Sequence, residues 1–319
     1  MPGEQTIQIY IPPEGNDCRV DRLLSALAPG LGLRGRRRLC EAGRVLLDGR
    51  PVGASVRARA GQELSLAPLP EVEAPHVKAA DAARLVSRGA GLAALYKPAG
   101  LHSAMLAGGG EPSLEAILPT LLDAGDPAGA ASRGEGAFPR LLNRLDAGTS
   151  GLALAALDAG GERIWRAAQA DGTVDKRYLA LVVGHPPRDF TVRTALDMAR
   201  RVRVRPLGHD ADPLRHTDVR ILARFALADV PKIGRPGDDG ALTLVGCRIR
   251  RGARHQIRAH LAVAGYPLWG DGLYGSGGGM FFLHHGLCRL PGFQAMCPPV
   301  WEACLPPEAI AAARIYLQA

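Results

Sequence analysis

Apolar residues recur along the chain with two alternating periods. Val20, Leu23, Leu24 and Leu27 are spaced three and four apart with Asp21 in the first turn, which predicts a helix stopped by Pro29 and Gly30. A second helix is expected over 34–42, ending at Gly43, a residue suited to a left-handed cap. Arg44 to Leu47 followed by Asp48-Gly49 and Pro51-Val52 reads as a tight hairpin, and Leu64 and Leu66 alternate as in a strand. Pro68, Pro70 and Pro75 among acids and alanines mark a linker over 67–80. That linker divides a small domain, 1–66 with its core at 18–66, from a larger one, 81–319. In the larger domain, Leu92 to Tyr96 predicts a buried strand ended by Pro98 and Gly100. A short helix is expected near Leu114 to Leu122, inside an otherwise Gly/Ala/Pro-rich and mobile excursion over 104–139. An apolar run follows at Leu152 to Leu157 and a strand from Lys176 to Gly184, and the stretch 174–248 is strand-heavy. Near 254–264 helical spacing returns, with Ile257, Leu261 and Ala264 on an inner face and Arg254 and Arg258 flanking it one turn apart.

Composition adds a partner class. The 319 residues are 47% hydrophobic, enough for a sizeable core, and 39 Lys and Arg against 31 Asp and Glu leave a formal net charge of +8. Such a balance favours an anionic partner, most commonly nucleic acid. No apolar run reaches the ~18 residues needed to span a membrane, and Met1 to Gly15 lacks a basic stretch followed by an apolar run, so a cytoplasmic protein is expected. No interface-like pattern is visible, and a monomer is expected. The six cysteines are scattered without a C-x-x-C pair and read as reduced thiols. Cys288, Cys297 and Cys304 lie near His284 and His285, but their spacing fits no common zinc motif. His255 and His260, five apart, do not share a helix face, so a metal pair is rejected there as well. The chain has no dinucleotide fingerprint and no P-loop, and neither metal nor cofactor is expected.

Two places carry candidate chemistry. Arg34, Arg36, Arg37 and Arg38 crowd the second helix, and Arg44 and Arg50 follow, opposed locally only by Glu41 and Asp48. Charge alone leaves two readings open, a phosphate-binding surface or a solvated helix face. The second place is Arg144-Leu145-Asp146-Ala147-Gly148-Thr149-Ser150-Gly151, a carboxylate at the start of a small-residue turn between apolar segments. By pattern alone, a turn-capping Asp146 is the stronger reading and an exposed catalytic carboxylate the weaker. A third basic run, Arg200, Arg201, Arg203 and Arg205, alternates with Val202 and Val204, as on one exposed strand face.

The order of motifs resolves these alternatives. The two helices and the Gly43-Arg44-Val45 to Asp48-Gly49-Arg50-Pro51 hairpin resemble the small RNA-binding domain named after ribosomal small-subunit protein four. The run R-L-D-x-x-T-S-G at 144–151 resembles the signature of the RluA-type pseudouridine synthases. Lys97-Pro98-Ala99-Gly100, Lys176-Arg177-Tyr178, His255-Gln256-Ile257-Arg258-Ala259-His260-Leu261, Gly265 to Asp271 with Tyr274-Gly275, Leu283-His284 and Leu305-Pro306 resemble further family segments, in order, over roughly 90–306.

This resemblance implies an α+β fold: a mainly antiparallel mixed-sheet catalytic domain beside a small N-terminal α/β RNA-binding domain. It implies isomerisation of uridine in structured RNA, ribosomal RNA first and transfer RNA second, without cofactor. It makes Asp146 the essential residue and puts Arg258 beside it, where a guanidinium orients a carboxylate and favours its charged form. Tyr178 is the third member of the set, able to stack on the extracted uracil; without the resemblance it reads as core. Arg144, Thr149, Ser150, Lys176 and Gln256 are expected at the substrate, with Lys176 otherwise read as a surface lysine. Trp269 and Tyr274 read as core. The chain departs from the family at Asn143, where His is usual, and at Arg251-Gly252-Ala253, where T-G-R is frequent; substrate fit is the property these touch. Two rivals follow. One is a non-catalytic RNA-binding or ribosome-assembly factor on the same fold, for which Asp146 is dispensable. The other is a phosphate-handling hydrolase, which needs a metal-binding carboxylate cluster that the sequence lacks.

Overall fold

A computed structural model describes residues 7–27, 33–41, 45–66, 80–105, 112–123, 138–199, 203–230, 233, 240–275 and 281–319, with the main chain only at 7, 34, 35, 38 and 41. The chain divides into two compact units, Met1–Glu73 and Ala74–Ala319. The expected linker lies, apart from residue 80, outside the described residues, as does most of the expected excursion over 104–139.

In the first unit, β1 (Ile7–Tyr10), β2 (Cys18–Arg19), α1 (Val20–Leu23), α2 (Leu33–Glu41), β3 (Val45–Leu47), β4 (Arg50–Pro51), β5 (Arg57–Ala58) and β6 (Glu63–Leu66) follow one another. Four strands form an antiparallel sheet in the order β1-β6-β3-β4, and β2 pairs with β5. The expected hairpin joins β3 to β4 through Asp48 (φ 49°) and Gly49 (φ 74°), the two positive φ values that a tight two-residue turn requires. The first helix is a single turn, shorter than its periodicity predicts. Ser25 Oγ donates to the Arg22 carbonyl and Arg36 reaches the carbonyls of Asp21 and Arg22, which satisfies that helix end early. Leu24 and Leu27 still join Val20, Val45 and Leu64 in the core. Asp21 is buried between Arg19 and Arg37, whose hydrogen bonds hold its carboxyl down to about 2 against the effect of burial.

The second unit is built on one large sheet. Its strands are β7 (Arg84–Gly89), β8 (Leu92–Lys97), β9 (Arg140–Leu141), β10 (Ser150–Ala156), β11 (Asp175–Val183), β12 (Phe190–Val192), β15 (Thr217–Ala226), β16 (Ala241–Ile249), β17 (Leu283–Leu290) and β18 (Phe293–Met296). A separate ribbon pairs β13 (Thr194–Asp197) with β14 (Arg205–His209). The sheet order is β12-β15-β16-β11-β17-β10-β8-β7, with β9 beside β10 and β18 beside β17. All these neighbours are antiparallel except β10 and β17, which makes the sheet mixed as well as mainly antiparallel.

Period-two alternation loads both faces. On β8, Ala93 and Leu95 pack on Leu114, Leu118 and Leu122 of α3 (Leu114–Asp123), while Leu92, Ala94 and Tyr96 pack with Trp165 and Ala168 of α4 (Ala159–Ala170). On β11, Tyr178, Ala180 and Val182 face Ile257 and Leu261 of α5 (Gln256–Val263), while Leu179 and Leu181 face Ala309, Ala313 and Leu317 of α6 (Pro307–Gln318). Each fully buried leucine contributes about 1.5–3 kcal/mol relative to exposure. Among the described residues no helix is long and apolar enough to cross a membrane.

One expectation needs correction, and a second holds in part. The α5 helix begins at Gln256, after His255 in left-handed backbone, so Arg254 lies in the preceding turn and bonds the Met198 carbonyl rather than flanking the helix. In the Arg200–Arg205 run, Arg203 and Arg205 are exposed on either side of buried Val204, as the alternation expects, but the strand begins only at Arg205. Arg203 lies over the Tyr274 ring, while Arg200, Arg201 and Val202 lie outside the described residues.

Candidate active site

Asp146 sits in the turn that feeds β10, and both neighbours are tied to the fold. Ser103 Oγ donates to the Leu145 carbonyl at 2.8 Å and accepts its N–H at 2.9 Å. The Ala147 carbonyl accepts from Gly100 N–H at 2.8 Å and from Lys97 Nζ at 3.1 Å. Lys97 is fully buried, and its Nζ also bonds the carbonyls of Pro98 and Leu101 at 2.9 and 2.7 Å. Burial pushes its pKa down to about 7, opposed by the charge of Asp146 and by three carbonyl acceptors that suit an ammonium. Upstream, Asn143 Oδ1 accepts the Leu154 N–H at 2.7 Å, so this departure from the family pattern pins the segment before Asp146 to β10. Downstream, Gly151 adopts φ 113°, and a Cβ there would run into the main chain of His285 on β17. Only glycine lets β10 and β17 approach so closely.

The Asp146 side chain remains 22% exposed, and its Oδ2 accepts from Arg258 Nη1 at 2.9 Å. The rest of that guanidinium grips Asp271, with Nε to Oδ2 at 2.7 Å and Nη2 to Oδ1 at 2.8 Å. It lies 4.4 Å from the ring centre of Phe281 and 5.3 Å from that of Tyr274. Asp271 is completely buried; burial alone would raise its carboxyl, but Arg258 and the Leu273 N–H overcome this and hold it below the ordinary value. Arg258 therefore presents one N–H arm to Asp146 from a fixed platform. His255 Nε2 lies 3.8 Å from Asp146 Oδ1. Tyr178 is buried in the cluster that holds Leu145 and stacks on His285 at 4.4 Å and 10°. Burial, with Cys288 and Asp146 beside it, pushes its phenol above the ordinary value.

The other expected site residues spread more widely. Arg144 is exposed. Thr149 is buried and its N–H bonds the Asp146 carbonyl; Ser150 is buried with Oγ 2.9 Å from His284 Nδ1. Lys176 is buried over Trp165, not at the surface, and burial lowers its pKa to about 8. Gln256 is buried at the start of α5, where it accepts the Ala253 N–H and donates to the Arg215 carbonyl. Arg251, the second departure, bonds the carbonyls of Gln169 and Ala170 and pairs with Asp212. In the N-terminal unit Arg37 and Arg50 are exposed and Arg36 is half-buried; Arg44 and the side chains of Arg34 and Arg38 lie outside the described residues. Sequence reasoning missed Lys97 and Asp271 as individuals, although each stands in a recognised segment. A cavity of about 370 Å³ lined by residues including Leu196, Met198, Arg215 and Gln256 does not include Asp146. Among the described residues no group of three or more His, Cys, Asp or Glu is placed to hold a metal ion.

Comparison with known proteins bears on the whole arrangement. The family profile described as RNA pseudouridylate synthase matches residues 91–263. A protein of Chloroflexus aurantiacus named as an uncharacterized RNA pseudouridine synthase is 31% identical over 271 residues, 84% of this chain and 78% of its own. The ribosomal large subunit pseudouridine synthase D of Xylella fastidiosa is 29% identical, covering 84% of this chain and 74% of its own. Among solved structures, human RNA Pseudouridylate Synthase Domain Containing 4 superposes with a TM-score of 0.50 at 18% identity, over 75% of this chain and 95% of that one, a likeness of fold.

Proposed function

The chain belongs to the RNA pseudouridylate synthase family, and on that premise we propose that Asp146 is the residue with which it isomerises uridine in large-subunit ribosomal RNA. It is an RNA pseudouridine synthase, an isomerase. The reaction breaks the bond from C1′ to N1 of the base and forms one from C1′ to C5. C5 gives up a proton and N1 gains one, so no atom is gained or lost overall. Attack on the sugar, attack on the base, and removal of a ribose proton all need an ionised, oriented carboxylate with an open edge.

The observation that carries the reading is the Asp146–Arg258 pair at 2.9 Å, on a guanidinium fixed by buried Asp271, with Asp146 still accessible. Tyr178 brings its ring to the extracted uracil. Its raised pKa keeps the hydroxyl protonated at neutral pH, so the group it offers is a neutral phenol. Reaching the bond requires the nucleotide to leave its stack, at a cost of a few kcal/mol. The basic N-terminal unit offsets this by binding flanking phosphates, with Arg37 and Arg50 among its exposed cations. Large-subunit RNA is favoured because relatives in Xylella fastidiosa and Vibrio cholerae carry ribosomal large subunit names.

The test incubates purified protein with total RNA from a strain lacking the gene and maps pseudouridines at nucleotide resolution, with Asp146→Asn alongside. New sites with the wild type alone establish Asp146 and name the RNA; sites only in transfer RNA would replace the ribosomal assignment. No new site, with RNA binding intact in both proteins, would favour a non-catalytic RNA-binding factor.

A further inference from the structure

His255 has a backbone that needs explaining. It precedes α5 at φ 55° and ψ 16°, a left-handed conformation that is uncommon for a residue with a side chain and is often found at functional sites. The imidazole makes no capping bond to the helix. Instead it points across the site. Nε2 lies 3.8 Å from Asp146 Oδ1, the oxygen that Arg258 does not hold, and Nδ1 lies 3.0 Å from Tyr274 Oη. Tyr274 Oη accepts the Val204 N–H at 2.9 Å, and the Tyr274 ring stands edge-on to the imidazole. The phenolic proton then finds its acceptor in Nδ1. With the phenol donating, the neutral ring carries its own proton on Nε2, facing Asp146.

We propose that His255 is a positioning residue for Asp146: its Nε2–H restrains the carboxylate oxygen left open by Arg258, and the 3.8 Å gap closes to a hydrogen bond when the reacting uridine fills the site. This rests on Asp146 being the catalytic group. Catalytic hydrogen bonds are often long before substrate binds, and a displacement of about 1 Å in such a group costs about a hundredfold in rate. The strain at His255 is then the means by which the chain directs a ring into the site from a helix start, where a right-handed backbone would aim it elsewhere.

The charged and titratable groups facing His255 are Asp146 from the turn before β10, Arg254 and Arg258 from the α5 segment, and Asp271 and Tyr274 from the loop beyond it. Burial lowers its pKa, Arg258 and Arg254 lower it further, and the two aspartates act the other way; the net direction is down. The ring is thus neutral at neutral pH. Acid adds a second proton at Nδ1, leaves the Nε2–H facing Asp146, and turns a neutral restraint into a second ion pair that ties up the carboxylate oxygen Arg258 leaves open. Activity falls on the acid side of the ordinary histidine value.

The full-length enzyme and the RNA identified by mapping provide the test, read as kcat, KM and pH profile. His255→Ala should lower kcat about tenfold to a hundredfold with KM unchanged. His255→Gln keeps an amide N–H near the Nε2 position and cannot titrate, so it should retain most of kcat while losing the histidine-dependent acid limb. Wild-type kcat in His255→Ala, or an unshifted acid limb in His255→Gln, overturns the proposal. Thermal unfolding is followed for each variant. If His255→Ala does not fold, Tyr274→Phe carries the test, since it leaves the imidazole in place but frees its tautomer; wild-type kcat and acid limb there also overturn it. Asp146→Asn separates the two levels. If it remains active, the underlying reading fails; if it is inactive while His255→Ala is fully active, only this inference fails.

Discussion

Arg258 serves two carboxylates with one guanidinium, and the two are not equivalent. Asp271 is buried and takes the bidentate grip, whereas Asp146 is accessible and takes a single arm. Arg258→Lys replaces a planar fork by a point charge and cannot make all three bonds. Its kcat is expected to fall about a hundredfold. Arg258→Ala is expected to cost a further 3–5 kcal/mol or so of stability, because Asp271 is left charged and buried without its cation; urea unfolding checks this. The linkage has a definite sign. Asp271 titrates lower in the folded state than its ordinary 3.8, so its contribution to stability is present above that value and is lost as pH falls through the folded one. Lys97 has the opposite sign. It titrates near 10.5 when unfolded and at about 7 when folded, so the unfolded state binds more protons between these values and stability rises with pH across that window. Unfolding midpoints measured from pH 7 to about 10 should rise less steeply in Lys97→Met than in the wild type, Lys176 supplying a term of the same sign in both; an equal slope in both would reject the account.

At the scale of elements, the position of Asp146 depends on a close approach of two strands that are remote in sequence. Gly151→Ala must change a φ of 113° and displace the β17 main chain, so its backbone term alone should cost about 1–3 kcal/mol. A fall in Tm with loss of activity in step is the expected measurement. The strands at Leu92–Tyr96 and Lys176–Gly184 were legible, because they carry continuous or alternating apolar residues against turn signals, while Leu152–Leu157 was legible as an apolar run. The start of α5 was not. Helical spacing places Arg254 on the helix, but the left-handed His255 ends that periodicity one residue before it begins. Asp146, Tyr178 and Arg258 were legible as a set only through ordered motifs, since each alone reads as a turn cap, a core aromatic or a structural ion pair. Lys97 and Asp271 were hidden for a physical reason: a buried charge is recognised by its partners, which for Lys97 are main-chain carbonyls one, four and 50 residues away and for Asp271 an arginine 13 residues away. Lys176 misled in the same way, since a lysine reads as exposed until a tryptophan is found beneath it.

At the scale of the molecule, an excess of eight positive charges attracts RNA without selecting a sequence. Arg50, exposed on the N-terminal hairpin, is expected to act through phosphate alone. Arg50→Ala should weaken binding of modified and unrelated RNAs alike and reduce the slope of log affinity against log salt by about one. A selective loss for one RNA would assign it to base recognition instead. The pairing of β10 with β17 has a temporal consequence. Ser150 meets His284 across 134 positions of sequence, and contacts so distant slow folding. During synthesis the Asp146 turn leaves the ribosome long before the strand that seats it. A nascent chain arrested before residue 283 carries every residue of the R-L-D signature but not the parallel partner of β10. A chain without β17 also lacks the His285 main chain against which Gly151 packs, so the turn that carries Asp146 is seated only when residues 283–290 have been made.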